Sequence, residues 1–139
     1  MIVPAGYSGT PLAKKLGITP EMKYLAINAP QEFHVWLGEL PENAQVVASA
    51  SLPLAAMHVF VLEKKELTRL LTNYRHKLEP AGFIWVSWPK KASKVKTDIT
   101  EDVIRAVALP LGYVDIKVCA VSAVWSGLKL VIRKELRGA

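Results

Sequence analysis

The sequence contains very little cysteine: of its 139 residues only one, Cys119, carries a thiol. An intramolecular disulfide is therefore excluded, and so is a zinc site built on several cysteines. Long apolar runs are also missing, because no window approaches the roughly 18 apolar residues that a transmembrane helix needs. The first residues lack the basic and apolar segments of a signal peptide. These absences predict a cytoplasmic protein that does not enter a membrane.

The composition that remains is sufficient for one folded unit. Hydrophobic residues make up 51% of the chain and charged residues 22%, and a chain of this size buries roughly 68–70% of its unfolded surface. We therefore expect residues 1–139 to form a single domain. The net charge of +6 is uneven, since residues 61–139 carry 15 basic against eight acidic groups. A basic half favours an anionic partner.

Apolar runs and amphipathic stripes alternate along the chain. The predicted strands are residues 22–27, 45–48, 55–62, 83–88, 113–121 and 128–133, and the predicted helices are residues 10–17, 30–40, 63–79 and 100–111. Apolar strands separated by helices are typical of a parallel sheet that is covered on both faces. The last two strands alternate apolar and polar residues, which is typical of antiparallel pairing. We predict a three-layer, doubly wound α/β fold whose mostly parallel sheet has an antiparallel C-terminal edge strand.

Three local patterns give more detailed predictions. Asp98 precedes an acidic residue by three positions, the spacing of a capping box, so it is predicted to cap the helix at residues 100–111. Residues 80–82 contain proline and glycine and are predicted to end the preceding helix. Asp115 and Lys117 stand two apart in an alternating strand, so we expect them on one face of the sheet.

The order of these elements resembles the class I methyltransferase-like Rossmann fold. Residues 77–86 are similar to the helix–strand joint common in that superfamily. The chain also resembles a bacterial family of domains of unknown function. That resemblance rests on residues 6–18, 85–91, 96–98, 118–121 and 125–129. It spans nearly the whole chain and implies no established activity.

The turn after the first strand lacks the residues on which cofactor binding usually depends. In this architecture, glycines at that turn let the backbone approach a nucleotide closely, but residues 27–32 contain none. Pro30 removes one backbone N–H from the start of the next helix. Residues 45–49 also lack the acidic side chain that would hold a ribose. We therefore predict no cofactor and no tight binding of S-adenosylmethionine.

The strongest positive feature is the lysine loop, residues 88–97, which follows a predicted parallel strand. Ligands of open α/β sheets bind at the carboxyl ends of such strands. The lysines supply positive charge there and the tryptophan supplies a stacking surface. The predicted anion-binding residues are Trp88, Lys90, Lys91, Lys94 and Lys96. The expected ligand is a phosphate-bearing metabolite or a nucleic acid; the alternative is a solvated loop that only aids solubility.

The side chains that could act in catalysis are not spaced along the sequence in the pattern of a known catalytic or metal site. His34 and His76 lie outside the apolar stripes of their helices, whereas His58 lies inside an apolar strand, as a core histidine would. No serine has the setting of a nucleophile elbow, no metal-binding spacing occurs, and Cys119 is predicted to be a small buried side chain. No catalytic or metal-binding residue is assigned.

These patterns favour a non-catalytic module that binds an anionic ligand or partner. One alternative is a divergent S-adenosylmethionine-dependent methyltransferase that has replaced its glycine loop. Another is a protein-interaction module that uses its exposed edge strand without a small ligand. The sequence does not distinguish a monomer from a homo-oligomer.

Overall fold

The computed structural model describes residues 10–138 of the chain. These residues form six strands, four α-helices and two short 3-10 helices. The strands are β1 (Lys23–Ile27), β2 (Gln45–Val47), β3 (Leu54–Phe60), β4 (Leu78–Pro89), β5 (Tyr113–Ala120) and β6 (Trp125–Ile132). The α-helices are α1 (Leu12–Lys15), α2 (Phe33–Leu37), α3 (Lys64–Tyr74) and α4 (Glu101–Leu111).

The six strands form one sheet in the order β2-β1-β3-β4-β6-β5. Neighbouring strands from β2 to β4 run parallel. The C-terminal strand β6 is antiparallel to both of its neighbours, β4 and β5. The mixed, mostly parallel sheet is therefore confirmed, with its antiparallel pairing at the C-terminal end and β5 as the outermost strand.

Helices cover both faces of the sheet. The core on one face contains Ala13 of α1, Leu16 directly after that helix, and Phe33 and Leu37 of α2. The core on the other face is filled from α3 and α4, by Leu67, Leu70, Leu71, Ile104, Val107 and Ala108. Because the central strands are covered twice, β3 has six of its seven residues buried, as its continuous apolar sequence predicts. The three-layer arrangement is confirmed.

The junction between α3 and β4 differs from the prediction. Helix α3 ends at Tyr74, and β4 begins at Leu78 opposite Leu54. Residues 80–82 therefore belong to the strand, at a place where the pairing with β3 shifts register. Gly82 is needed there for close packing, since a Cβ would lie 3.0 Å from the carbonyl oxygens of Leu54 and Ala55. Proline in a strand is tolerated at such irregularities.

Two further boundaries were predicted incorrectly. Helix α2 is shorter than expected and ends at Gly38, whose φ of 71° is left-handed. Strand β6 starts at Trp125, so residues 125–127 pair with residues 87–89 of β4 and are not a connection. Gly127 leaves room for the Trp85 ring to pack against β6, since a Cβ would lie 3.1 Å from that ring.

A bulge in β5 places two side chains on opposite faces of the sheet, although the sequence predicts that they share one face. Asp115 lies opposite Leu130, but Lys117 lies opposite Lys129, so Ile116 is an extra residue. An extra residue shifts the alternation of side chains by one position. Asp115 therefore faces α4, whereas Lys117 faces the other side of the sheet beside Lys129. The prediction that Asp115 and Lys117 share a face was wrong.

Candidate functional site

A cleft of about 740 Å³ lies at the carboxyl end of β4. The lysine loop contributes one part of its lining, including the side chains of Lys91, Lys94 and Lys96. The beginning of α4 contributes the other part, including Glu101 and Asp102. We call this cavity the α4 cleft.

Local hydrogen bonds give the lysine loop a defined turn. Residues 91–93 form a 3-10 turn that ends at Lys94, whose φ of 63° is left-handed. The Ser93 hydroxyl donates to the Lys90 carbonyl at 2.7 Å and accepts from the Val95 amide at 3.2 Å. The side chains of Lys91, Lys94 and Lys96 take no part in these bonds and are exposed to solvent.

The end of the lysine loop is tied to the start of α3. The Thr97 hydroxyl donates to the Leu62 carbonyl at 2.6 Å, and the Asp98 carboxylate accepts from the Lys64 amide at 2.7 Å. Asp98 therefore caps α3, and the prediction that it caps the following helix was wrong. That role belongs to Thr100, whose hydroxyl accepts from the amide of Val103 within α4. The misassignment arose because β3 and β4 end side by side, which brings the two junctions together.

The structure gathers most of the predicted anion-binding residues around the α4 cleft. Lys91, Lys94, Lys96 and Trp88 line it, whereas the half-buried Lys90 is not among its lining residues. The Trp88 side chain is only 7% exposed and belongs to the core between the sheet and the helices α3 and α4. Its ring therefore offers little surface on which a base could stack.

Sequence reasoning missed a network of charges at the edge of the α4 cleft. Arg105 contacts the carboxylates of Glu101 at 2.9 Å, Asp102 at 3.2 Å and Asp115 at 3.0 Å, using all three guanidinium nitrogens. Its hydrogen bonds to Asp115 and Glu101 raise the pKa of Arg105 above its usual value. The spacing of three and four residues within α4 was the available signal for two of these pairs. Since Arg105 is already occupied, the lysines are the cations left to meet a ligand.

The turn after β1 has a side chain where a cofactor-binding fold would have glycine. Asn28 has a left-handed φ of 60°, a conformation that asparagine tolerates better than most residues. Its side-chain amide donates to the Glu66 carboxylate of α3 at 3.3 Å. The amide of Phe33 bonds back to the carbonyl of Pro30, so the chain enters α2 directly from this turn.

A second polar cluster lies in the interior, on the α1 and α2 side of the sheet. The Tyr24 hydroxyl and His58 Nδ1 share a hydrogen bond of 2.7 Å, and His58 Nε2 and the Ser87 hydroxyl share one of 2.6 Å. All three side chains are fully buried, and they connect β1, β3 and β4. Burial lowers the pKa of His58 to about 3 and raises that of Tyr24. We call these residues the buried trio; His58 is the core histidine that its sequence setting predicts.

The remaining candidates for chemistry are not brought together. His34 and His76 are exposed, as predicted. Cys119 is buried, and burial raises the pKa of its thiol. Among residues 10–138, no three His, Cys, Asp or Glu side chains gather as metal ligands. No helix in that part of the chain has the length and hydrophobicity to cross a membrane.

The outer strand β5 presents the surface that an interaction module would use. Ile116 and Val118 are 56% and 49% exposed, although both are apolar. The bulge at Ile116 interrupts the regular edge there, and such irregularities discourage strand-to-strand pairing.

Comparison with solved structures finds the same architecture in a SAM-dependent methyltransferase and in LepI complexes with SAM or SAH. The chain is similar to a SAM-dependent methyltransferase from Aquifex aeolicus, with a TM-score of 0.58 and 12% identity over 87% of each chain. It is also similar to LepI in complex with SAH and a substrate analogue, with a TM-score of 0.57, 10% identity and 96% of this chain covered. A LepI complex with SAM gives a TM-score of 0.54 and 8% identity, over 88% of this chain.

The chain spans 49% and 39% of the two LepI chains. No family model and no curated protein matches the sequence, so its resemblance to the bacterial family stays a prediction. At these low identities the structural likeness concerns the fold alone. The chain therefore has a methyltransferase-like Rossmann architecture.

Proposed function

We propose that this protein is a non-catalytic, cytoplasmic module that binds an anionic, phosphate-bearing ligand in the α4 cleft. The observation that carries the proposal is the position of Lys91, Lys94 and Lys96 around one cavity at the carboxyl end of β4. Ligands of open α/β sheets bind at this edge. The single cysteine fits a reducing compartment. The resemblance to a bacterial family implies no activity, so the proposal depends on the cleft.

The charges around the α4 cleft favour an anion. Its lining contains four cationic side chains, Lys91, Lys94, Lys96 and Arg105, and two carboxylates, Glu101 and Asp102. Both carboxylates already contact Arg105. The three ammonium groups have no carboxylate partner among residues 10–138 and can donate to phosphate oxygens. Hydrogen bonds of this charged kind are stronger than neutral ones.

The test is calorimetric titration with inorganic pyrophosphate at low and moderate salt. Replacing Lys91 and Lys96 together with alanine removes two of the proposed contacts, so we expect affinity to fall at least about tenfold. Lys90→Ala is the matched control, because Lys90 adjoins the loop but does not line the α4 cleft. Wild-type binding should weaken as salt is added. Equal losses in both variants, or no binding by folded protein, would reject the proposal.

A second candidate is S-adenosylmethionine-dependent catalysis. It is supported by the fold shared with structures described as SAM or SAH complexes. The turn at residues 27–32 argues against it, because Asn28 bonds to Glu66 where close-approach glycines would be needed. Calorimetry with S-adenosylmethionine separates the two. We expect no binding up to about 1 mM, or roughly −4 kcal/mol, and a micromolar dissociation constant would make the enzyme the better proposal.

A further inference from the structure

The α4 cleft has opposite charges in its two parts. The lysine loop supplies ammonium groups, whereas the first turn of α4 supplies Glu101 and Asp102. The Asp102 side chain is 96% exposed and that of Glu101 is 44% exposed, so both are accessible to a ligand. An anion held by the lysines would therefore have carboxylates close to the rest of its structure.

These carboxylates are oriented but not saturated. Arg105 contacts only Oε1 of Glu101 and Oδ1 of Asp102. Within residues 10–138, the second oxygen of each carboxylate makes no hydrogen bond. An ionised carboxylate accepts about four hydrogen bonds. Each group can therefore accept a hydroxyl or amine proton from a ligand while Arg105 holds it in place.

Two features disfavour a nucleic acid strand. A strand carries a phosphate at every nucleotide, so a strand that crossed the α4 cleft would meet the charges of Glu101 and Asp102. Trp88 is 7% exposed and cannot provide the aromatic platform that single-strand binding uses. The cavity of about 740 Å³ instead lies within the roughly 300–1,000 Å³ typical of small-molecule sites.

We infer that the α4 cleft takes a compact phosphate monoester that also carries hydroxyl or amine donors, with its phosphate on the lysines and its donors on Glu101 and Asp102. A sugar phosphate belongs to this class. The inference rests on the proposed function and specifies the ligand class of the same site.

The experiment compares ribose 5-phosphate, inorganic phosphate and a short oligothymidylate by calorimetry. The wild-type protein should bind ribose 5-phosphate about tenfold more tightly than inorganic phosphate, because only the sugar donates to the carboxylates. In the double variant Glu101→Gln with Asp102→Asn, that preference should disappear while inorganic phosphate still binds. Asp115→Asn is the matched control, since Asp115 also holds Arg105 but does not line the α4 cleft.

The outcomes separate the two proposals. If no phosphate compound binds in a manner that depends on Lys91 and Lys96, the proposed function fails. If inorganic phosphate binds but ribose 5-phosphate binds no more tightly, only the present inference fails. The same holds if Asp115→Asn abolishes the preference for ribose 5-phosphate as fully as the double variant does. Binding of oligothymidylate that exceeds every small phosphate, and that strengthens when Glu101 and Asp102 are neutralised, would replace it with a nucleic acid ligand.

Discussion

The buried trio and the α4 cleft are two polar regions of this protein that differ in burial, in hydrogen bonding and in exposure to solvent. The trio of Tyr24, His58 and Ser87 is fully buried, and each of its side chains has a hydrogen-bond partner. The lysines of the cleft are exposed and lack carboxylate partners among residues 10–138. The trio joins strands, whereas the cleft faces solvent.

This difference separates polar groups that specify the fold from those available for binding. A buried polar group without a partner costs about 1–3 kcal/mol, so Tyr24 and Ser87 each depend on His58, and His58 depends on both. Exposed lysines contribute little to the free energy of unfolding, because water solvates their charge in the folded and the unfolded protein. We therefore expect substitutions in the interior to change stability, and substitutions in the lysine loop to change binding.

Trp88 lines the α4 cleft but packs in the core beneath α3 and α4, so it tests whether a residue of the cleft can support the fold. Trp88→Ala should destabilise the protein by about 3–5 kcal/mol, as for other large aromatic side chains deleted from cores. Urea unfolding measures the effect, and Trp88→Phe should lose less. A loss below about 1 kcal/mol would contradict the core assignment and restore the ring as a stacking surface.

Acid should weaken the buried trio. Burial lowers the pKa of His58 from 6.5 to about 3, so the unfolded chain binds a proton between these values while the folded protein does not. The free energy of unfolding is therefore unaffected by protonation of His58 above pH 6.5 and decreases as the pH falls from 6.5 toward 3. The decrease between pH 7 and pH 4.5 amounts to about 2–3 kcal/mol.

Urea midpoints across this pH range measure the loss, and His58→Gln should show a shallower dependence. In the folded wild type, the imidazole resonances of His58 should not move between pH 7.5 and pH 5. A shift in that range would show that His58 becomes charged inside the folded protein, and the account of the trio as a neutral network would then be wrong.

Substitution of Lys117, which lies on the same side of the sheet as the trio, should change stability by a smaller amount. It lies directly opposite Lys129, and burial together with the charge of Lys117 lowers the pKa of Lys129. Lys117→Glu replaces a like-charge pair with an opposite pair and should stabilise the protein by about 0.2–1 kcal/mol. Thermal melting at low salt detects the gain. Lys134→Glu, an exposed control outside the sheet, should not reproduce it.

The lysine loop should give the smallest change in stability. Lys91→Ala and Lys96→Ala remove exposed side chains, so each should alter unfolding free energy by less than about 0.5 kcal/mol. Chemical denaturation without ligand provides the measurement. A loss above 1 kcal/mol would mean that these lysines support the fold, and the contrast between the two regions would disappear.

Much of the fold could be predicted because it depends on neighbouring residues in the chain. The apolar run at residues 55–62 predicts a strand covered on both faces, and β3 is such a strand. His58 is identified as a core histidine by the apolar residues around it. The lysine loop is placed at the carboxyl edge of the sheet because it follows a parallel strand.

The composition of the candidate site required the tertiary structure. Asp98 was predicted to serve a helix near it in sequence, but it caps α3 through Lys64, 34 positions away. The carboxylates around Arg105 include Asp115 from β5 as well as two from α4. The Asp98–Lys64 and Arg105–Asp115 contacts leave no periodic signal, because each depends on which elements pack side by side.

The sequence alone determined the alternation of strands and helices, the basic C-terminal half, the exclusion of an intramolecular disulfide and the absence of glycine from residues 27–32. The tertiary structure decided that Trp88 is buried, that Lys117 faces Lys129, and that acids accompany the lysines in the α4 cleft. The physical reason is the range of the interactions. Periodicity and turn chemistry act within a few residues, whereas burial and charge pairing are set by the packing of segments that are distant in the chain.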